Sequence, residues 1–206
     1  FDVHRVDTFG HEHYHRFDLF SRREPFLQSG DIELSPAKGD RVKSVGYLFP
    51  EEPTATNINH FSHGYDADYQ YSPATAALGL ITVAPFASSG GAGIRPSING
   101  VPPLYVLPIG DNLFETLALS IVTPRFQPRV AGGDDSPAWR RDPVVQRGHE
   151  VLSVGFLESL TFPARRVRLF PEHTAGFDSR TGGWSDVLVR RMVFDMGHSR
   201  PKDSPA

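Results

Sequence analysis

Residues 88–97 read Ser-Ser-Gly-Gly-Ala-Gly-Ile-Arg-Pro-Ser, and the fold that we predict is organised around this run of small residues. Glycine has no Cβ atom, so it enters left-handed and extended conformations cheaply and lets another molecule approach the peptide groups. The residues from Gly90 to Gly93 carry at most a methyl group, and they present backbone N–H and C=O groups to a partner. We interpret the segment as a contact loop, and a plain solvent-exposed connection is the alternative that remains open.

The residues before this loop predict a helix. Ser72 is a suitable N-cap, and Pro73 after it takes the first helical position, where proline is favoured. The apolar residues that follow recur at helical spacing, and the helix is expected to end at Ala84-Pro85. The loop therefore begins at the end of a packed helix, which gives it a rigid mounting.

The residues after the loop predict an extended segment and a second helix. Residues 103–108 form a short apolar run between prolines, which indicates a strand or an extended edge segment. Either Asp111 or Asn112 then caps a helix that ends before Pro124. Three apolar residues share one face of this helix: Leu113, Leu117 and Ile121.

Length and composition restrict the class of protein. The 206 residues suit one large domain or part of one, and we expect a fragment, because the chain begins without methionine and stops inside a loop-like stretch. The absence of cysteine excludes disulfides and thiolate metal sites. No apolar run is long enough to cross a bilayer, so we expect no membrane partner and a cytoplasmic location. The net charge of −3 argues against binding nucleic acid through charge alone.

A histidine-rich segment contains the sharpest enzymatic pattern in the chain. Residues 11–15 read His-Glu-His-Tyr-His and match the H-E-x-x-H pattern of zinc peptidases. In that pattern His11 and His15 bind zinc one helical turn apart, and Glu12 is the general base. Three histidines in five residues match the pattern easily by chance, and a third ligand is also needed. A zinc-dependent hydrolase is therefore the alternative function, and a solvated helix face is the simpler explanation.

Two segments near the end of the chain alternate between apolar and polar residues. They are residues 162–170 and 187–196, and they predict a pair of strands joined through Gly182-Gly183-Trp184. Their arginines form either a basic face or an exposed sheet surface paired with Asp186 and Asp195, and we favour the second interpretation. The arginines concerned are Arg166, Arg168, Arg190 and Arg191. For the whole chain we predict an α+β fold, a mixed and loop-rich single domain with short helices and small antiparallel sheets.

Several of these segments resemble the CasA family, the large subunit of the type I-E CRISPR surveillance complex, Cascade. The most extensive likeness runs from the first predicted helix through Gly-Gly-x-Gly, a basic residue and Gly-Val-Pro-Pro-Leu to the second helix, which contains Glu-Thr-Leu and ends in Thr-Pro. Shorter likenesses are Arg-Phe-Asp-Leu-Phe at 16–20, Pro-Phe-Leu-Gln at 25–28, Pro-Ala-Trp at 137–139 and Phe-Pro-Ala-Arg-Arg-Val-Arg-Leu at 162–169.

The resemblance implies that residues 1–206 are part of the N-terminal domain of a CasA-like subunit, without its C-terminal helical bundle. It implies a non-catalytic subunit that recognises the protospacer-adjacent motif in double-stranded DNA, promotes target unwinding and recruits a helicase-nuclease. The implied partners are the target DNA, the guide RNA, the other Cascade subunits and the recruited helicase-nuclease, and no cofactor is implied. A protein-interaction module without nucleic-acid contact is a further alternative.

The resemblance also assigns residues to two contact loops. The motif-recognition loop would comprise Gly90, Gly91, Ala92, Gly93 and Arg95, with Arg95 placed to neutralise a phosphate or enter the groove. An Ala-Thr-Asn segment followed by a phenylalanine is similar to a CasA loop that reaches the 5′ end of the guide RNA and the neighbouring subunit. That role carries over to Asn57, Asn59 and Phe61.

Overall fold

The computed structural model describes residues 2–52, 68–87, 94–95, 97–98, 105–128 and 135–201. Within these ranges the chain combines short helices with two small antiparallel sheets, which confirms the predicted α+β class. The α-helices are α1 (Val3–His13), α2 (Pro73–Phe86), α3 (Leu113–Leu119) and α4 (Phe156–Leu160). The strands are β1 (Val42–Ser44), β2 (Arg165–Glu172), β3 (Gly176–Phe177), β4 (Trp184–Ser185) and β5 (Leu188–Met196). Short 3-10 helices cover Tyr14–Phe17, Val45–Leu48 and Ala138–Arg140.

The larger sheet has the strand order β1-β5-β2, and all its pairings are antiparallel. Strands β2 and β5 pair from Arg165 opposite Met196 to Glu172 opposite Leu188, with a register shift after Phe170. The predicted pairing of the two alternating segments is therefore confirmed. The small β3–β4 hairpin lies in the connection between them.

Helix α2 covers one face of this sheet. The Ser72 side chain accepts a hydrogen bond from the backbone N–H of Thr75 at 3.2 Å, so the predicted cap forms. The helix continues to Phe86, slightly beyond the predicted end. Gly79 allows a close approach, because a Cβ atom there would lie 2.7 Å from the Cβ atom of Leu48. The core between the helix and the sheet includes two helix residues, Leu80 and Val83. Its strand residues include Leu169, Val189, Met192 and Phe194.

The other face and the outer edge of β2 are covered by the segment before β1. The backbone N–H of Ser29 donates to the Val167 carbonyl at 2.9 Å, and the Gln28 side chain accepts from the Leu169 N–H at 2.8 Å. These bonds satisfy backbone groups that an edge strand would otherwise expose. A small apolar cluster of Ile32, Phe170 and Val193 lies on this face. The middle of the β2–β5 pair is therefore buried on both sides.

Helix α3 forms where the sequence predicts it, but its apolar side chains do not pack inward. Asn112 is the N-cap, and its side chain accepts from the Glu115 N–H at 3.0 Å. The three apolar residues of the predicted face are 58–73% exposed: Leu113, Leu117 and Ile121. Residues 105–108 lie in neither sheet. Among the described residues, no helix has the length and apolar character that crossing a bilayer requires.

Candidate functional site

The two ends of the glycine-rich segment meet at one point. The backbone N–H of Ser97 donates to the Ala87 carbonyl at 2.8 Å, and its hydroxyl donates to the Ala84 carbonyl. Ala87 is the C-cap residue of α2, and Ser97 is only 6% exposed. The chain therefore leaves the helix after Ala87 and is back against it at Ser97, as an anchored loop requires.

The carbonyl groups at the end of α2 are satisfied by residues that are distant in the sequence. The last carbonyls of a helix lack intrahelical partners and need donors from elsewhere. The Tyr105 hydroxyl donates to the Pro85 carbonyl, and the Nη2 atom of Arg165 donates to the Ala87 carbonyl at 3.0 Å. We call the five residues that join helix and loop the neck: Ala84, Pro85, Ala87, Ser97 and Tyr105.

Arg165 approaches the neck from strand β2. It is 3% exposed, and its Nη1 atom donates to the Ala164 carbonyl at 2.8 Å. Its guanidinium carbon lies 5.9 Å from the centre of the Phe194 ring. Burial lowers the pKa of Arg165 to about 10, so the side chain stays charged at neutral pH. A cation at this position complements the negative end of the helix dipole.

Arg95 precedes the neck residue Ser97 by two positions and forms an ion pair. Its Nη1 atom lies 2.8 Å from a carboxylate oxygen of Glu150 and 3.4 Å from the Ser199 hydroxyl. The Arg95 side chain is 39% exposed and the Glu150 side chain 49% exposed. Exposed pairs of this kind contribute about 0–1 kcal/mol, so another anion can displace Glu150 at little cost.

Most of the predicted contact residues lie outside the described ranges. This holds for the recognition-loop residues Gly90, Gly91, Ala92 and Gly93 and for the second-loop residues Asn57, Asn59 and Phe61. Of the predicted motif-recognition residues, Arg95 is described, and it lies next to the neck.

The H-E-x-x-H segment does not form one continuous α-helix. Helix α1 ends at His13, and His15 belongs to the following 3-10 helix. The side chains of His11, Glu12 and His15 are exposed. In the part of the chain that the structure describes, no three histidine or acidic side chains are grouped so as to hold a metal ion. Within the described ranges, no third ligand therefore accompanies His11 and His15.

The strand arginines do not form a continuous basic face. Arg168, expected on the solvent side, is 1% exposed and donates to the Ser21 carbonyl at 3.0 Å. Burial lowers its pKa. Arg166 pairs with Asp31, and Arg190 pairs with Glu172. The favoured interpretation, acid-paired arginines, holds for these two, but their carboxylate partners differ from the predicted ones.

Asp195 is neutralised by arginines outside the predicted strand pair. Its carboxylate lies 3.5 Å from the Nε atom of Arg41 and 2.8 Å from the Nε atom of Arg147. Sequence reasoning also missed Arg165 and Glu150, because their partners are remote in the chain. The sole sequence signal for Arg165 was its place in the Arg-Arg-Val-Arg run, and Glu150 had none.

Comparison with known proteins relates the chain to a family. The family described as CRISPR-associated protein Cse1 matches residues 1–205. The CRISPR-associated protein CasA/Cse1 of Thermus thermophilus is 31% identical over 169 residues, covering 76% of this chain and 31% of that protein. The crystal structure of Cse1 from Acidimicrobium ferrooxidans matches with a TM-score of 0.64 at 29% identity, covering 99% of this chain and 38% of that one.

A crystal structure of Thermus thermophilus CasA shows the same fold. It matches with a TM-score of 0.61 at 23% identity, over 100% of this chain and 38% of that chain. The chain thus spans 31% of the curated relative's length. Since the family match extends over nearly every residue, the resemblance stated from the sequence is confirmed: the chain belongs to the CRISPR-associated Cse1 family, also called CasA.

Proposed function

We propose that this chain is part of a non-catalytic subunit of a type I-E Cascade complex, and that its glycine-rich loop recognises the protospacer-adjacent motif in double-stranded DNA. The observation that supports this proposal most directly is the hydrogen bond between Ser97 and Ala87, which closes the loop at its base. A segment of very small residues on a fixed base is suited to bring peptide groups against another molecule.

The chemistry of the DNA grooves suggests which edge such a loop reads. The major groove distinguishes all four base pairs, whereas the minor groove offers acceptors and the guanine amino donor. The loop residues Gly90 to Gly93 are small enough to enter the narrower groove, where larger side chains would clash. A reader of this kind accepts several motifs, and guide-RNA pairing supplies the detailed specificity, as in other RNA-guided effectors.

Arg95 is the proposed phosphate contact next to this loop. Contacts to phosphates fix the register of a protein on the duplex without reading sequence. The Glu150 carboxylate lies 2.8 Å from the Arg95 guanidinium. A phosphate oxygen of the DNA would replace this carboxylate. The weak, exposed ion pair is compatible with such an exchange.

The remaining roles carry over from the family resemblance. We propose that Asn57, Asn59 and Phe61 contact the guide RNA and a neighbouring subunit. We also propose that the complete subunit promotes unwinding of the target and recruits the helicase-nuclease in the cytoplasm, and that a C-terminal helical bundle follows this N-terminal part.

Substitution of Gly91 by aspartate tests the proposal. In the complete subunit, assembled in its complex, Gly91→Asp adds bulk and negative charge to the loop. We expect motif-dependent DNA binding to be lost while the melting temperature of the subunit is unchanged. The matched control is Gly10→Asp in α1, where an added Cβ atom meets no other atom within 4 Å.

Two results would contradict the proposal. One is unchanged motif-dependent binding by the Gly91→Asp complex. The other is equally tight DNA binding by a complex that lacks the subunit, which would favour a protein-interaction module.

A further inference from the structure

We infer that Arg165 is a positioning residue for the glycine-rich loop, and that it determines how strongly the subunit distinguishes its DNA motif from other duplexes. The inference rests on the proposed function of the loop and adds a residue to it. Arg165 acts through the neck and is not itself placed against DNA.

The Ala87 carbonyl lies at the junction of helix α2 and the loop. This carbonyl belongs to the last described residue before the loop, and it accepts two hydrogen bonds. One comes from the Ser97 N–H at 2.8 Å, and the other comes from Arg165 at 3.0 Å. The Ser97 bond joins the two ends of the loop to each other. The Arg165 bond joins them to strand β2 of the larger sheet.

The guanidinium of Arg165 is held in one orientation. Its Nη1 and Nη2 atoms bond two different carbonyls, those of Ala164 and Ala87. The plane also lies near the Phe194 ring. Because the fork is planar and rigid, two bonds fix its direction as well as its distance. Arg165 therefore fixes the orientation of the neck relative to the sheet.

The charge of Arg165 is buried at a cost in free energy. Taking an arginine out of water is expensive, and hydrogen bonds to carbonyl groups recover only part of that cost. Stability alone is therefore a poor reason for a cation at 3% exposure. Orientation of the neck is a better reason for this buried cation, because recognition through peptide groups requires those groups to be placed to a fraction of an ångström.

The experiment compares motif and scrambled duplexes with complexes that contain the full-length subunit. We expect Arg165→Met to lower the ratio of the two affinities about tenfold, the size expected for one charge-assisted hydrogen bond. Affinity for the scrambled duplex should change less than about twofold, because phosphate contacts dominate it.

Arg166→Met is the matched control. It removes the neighbouring arginine on the same strand, whose side chain points to the opposite face and pairs with Asp31. Its affinity ratio should equal that of the unsubstituted complex. Arg165→Lys retains the charge but not the planar fork, and it should give an intermediate ratio.

The outcomes separate this inference from the proposed function. An unchanged ratio in Arg165→Met, or an equal fall in both affinities, overturns the positioning role. If Arg165→Met does not assemble, Arg165→Lys decides, and an unchanged ratio there overturns the role equally. A Gly91→Asp complex that loses motif dependence while Arg165→Met keeps it leaves the proposed function standing and rejects this inference. An unsubstituted complex without motif dependence would overturn both.

Discussion

The backbone N–H of Ser97 lies 2.8 Å from the carbonyl oxygen of Ala87, at the end of helix α2. This one bond brings together residues on the two sides of the glycine-rich segment. It occurs in a buried setting, since Ser97 is 6% exposed. The base of the proposed recognition loop is therefore buried in the core and not exposed to solvent.

Removing the Ser97 hydroxyl tests how much its hydrogen bond at this base contributes to stability. Ser97→Ala retains the backbone bond but leaves the Ala84 carbonyl without its hydroxyl donor. We expect the free energy of unfolding to fall by about 0.5–1.5 kcal/mol, the net contribution of one hydrogen bond. Urea denaturation at pH 7 measures it. The control Ser120→Ala removes an exposed hydroxyl hydrogen bond at the C-cap of α3. Its effect should stay within about 0.5 kcal/mol, and an equal effect of the two substitutions would contradict the prediction.

Neutralising Glu150 tests whether its carboxylate competes with phosphate. In Glu150→Gln the charged partner of Arg95 is lost, so phosphate no longer competes with a carboxylate. Because a surface ion pair is weak, we expect the affinity for any duplex to rise by about two- to fivefold. Arg95→Ala should weaken binding to all sequences alike and reduce the slope of log K against log salt by about 1. Titrations at several salt concentrations measure both effects.

The control for this prediction is an equivalent ion pair elsewhere. Glu172→Gln breaks the pair with Arg190 on the sheet and leaves Arg95 untouched. Its DNA affinity should match that of the unsubstituted subunit. If Glu150→Gln binds DNA no more tightly than this control, Glu150 does not compete with the phosphate.

Asp178 should make stability depend on pH. Burial alone would raise its pKa, but hydrogen bonds from Thr75, Ser72 and Thr181 outweigh burial and hold the pKa well below the ordinary value of 3.8. A carboxyl group whose pKa is lowered on folding stabilises above the unfolded-state pKa and loses that contribution as pH falls through the folded-state pKa. We therefore expect Asp178→Asn to lower the free energy of unfolding by about 1–3 kcal/mol at pH 7.

The pH dependence separates this effect from simple loss of packing. The difference between Asp178→Asn and the unsubstituted protein should shrink as pH falls below 3.8. Urea denaturation at pH 7 and at pH 3 measures it. Asp186→Asn replaces an exposed carboxylate in the same region and should show little difference at either pH. A difference for Asp178→Asn that is constant with pH would refute the prediction.

Local sequence patterns predicted the helices on either side of the loop and the strand pair of the larger sheet. The Ser72-Pro73 cap of α2, the Asn112 cap of α3 and the β2–β5 pair all depend on neighbours in sequence or on simple alternation. Alternation also placed Arg166 and Arg168 on one face. The prediction that this face is exposed to solvent was wrong for Arg168, because the segment before β1 buries its side chain.

By itself, the sequence determined the family, the helix caps, the strand pair and the small-residue character of the loop, because each of these is a property of neighbouring residues. Only the tertiary structure decided that Ser97 returns to Ala87, that Arg165 reaches the same carbonyl and that Glu150 holds Arg95. Arg165 and Ala87 are 78 positions apart. No local propensity encodes such a contact, because it depends on how helix α2 packs across the sheet.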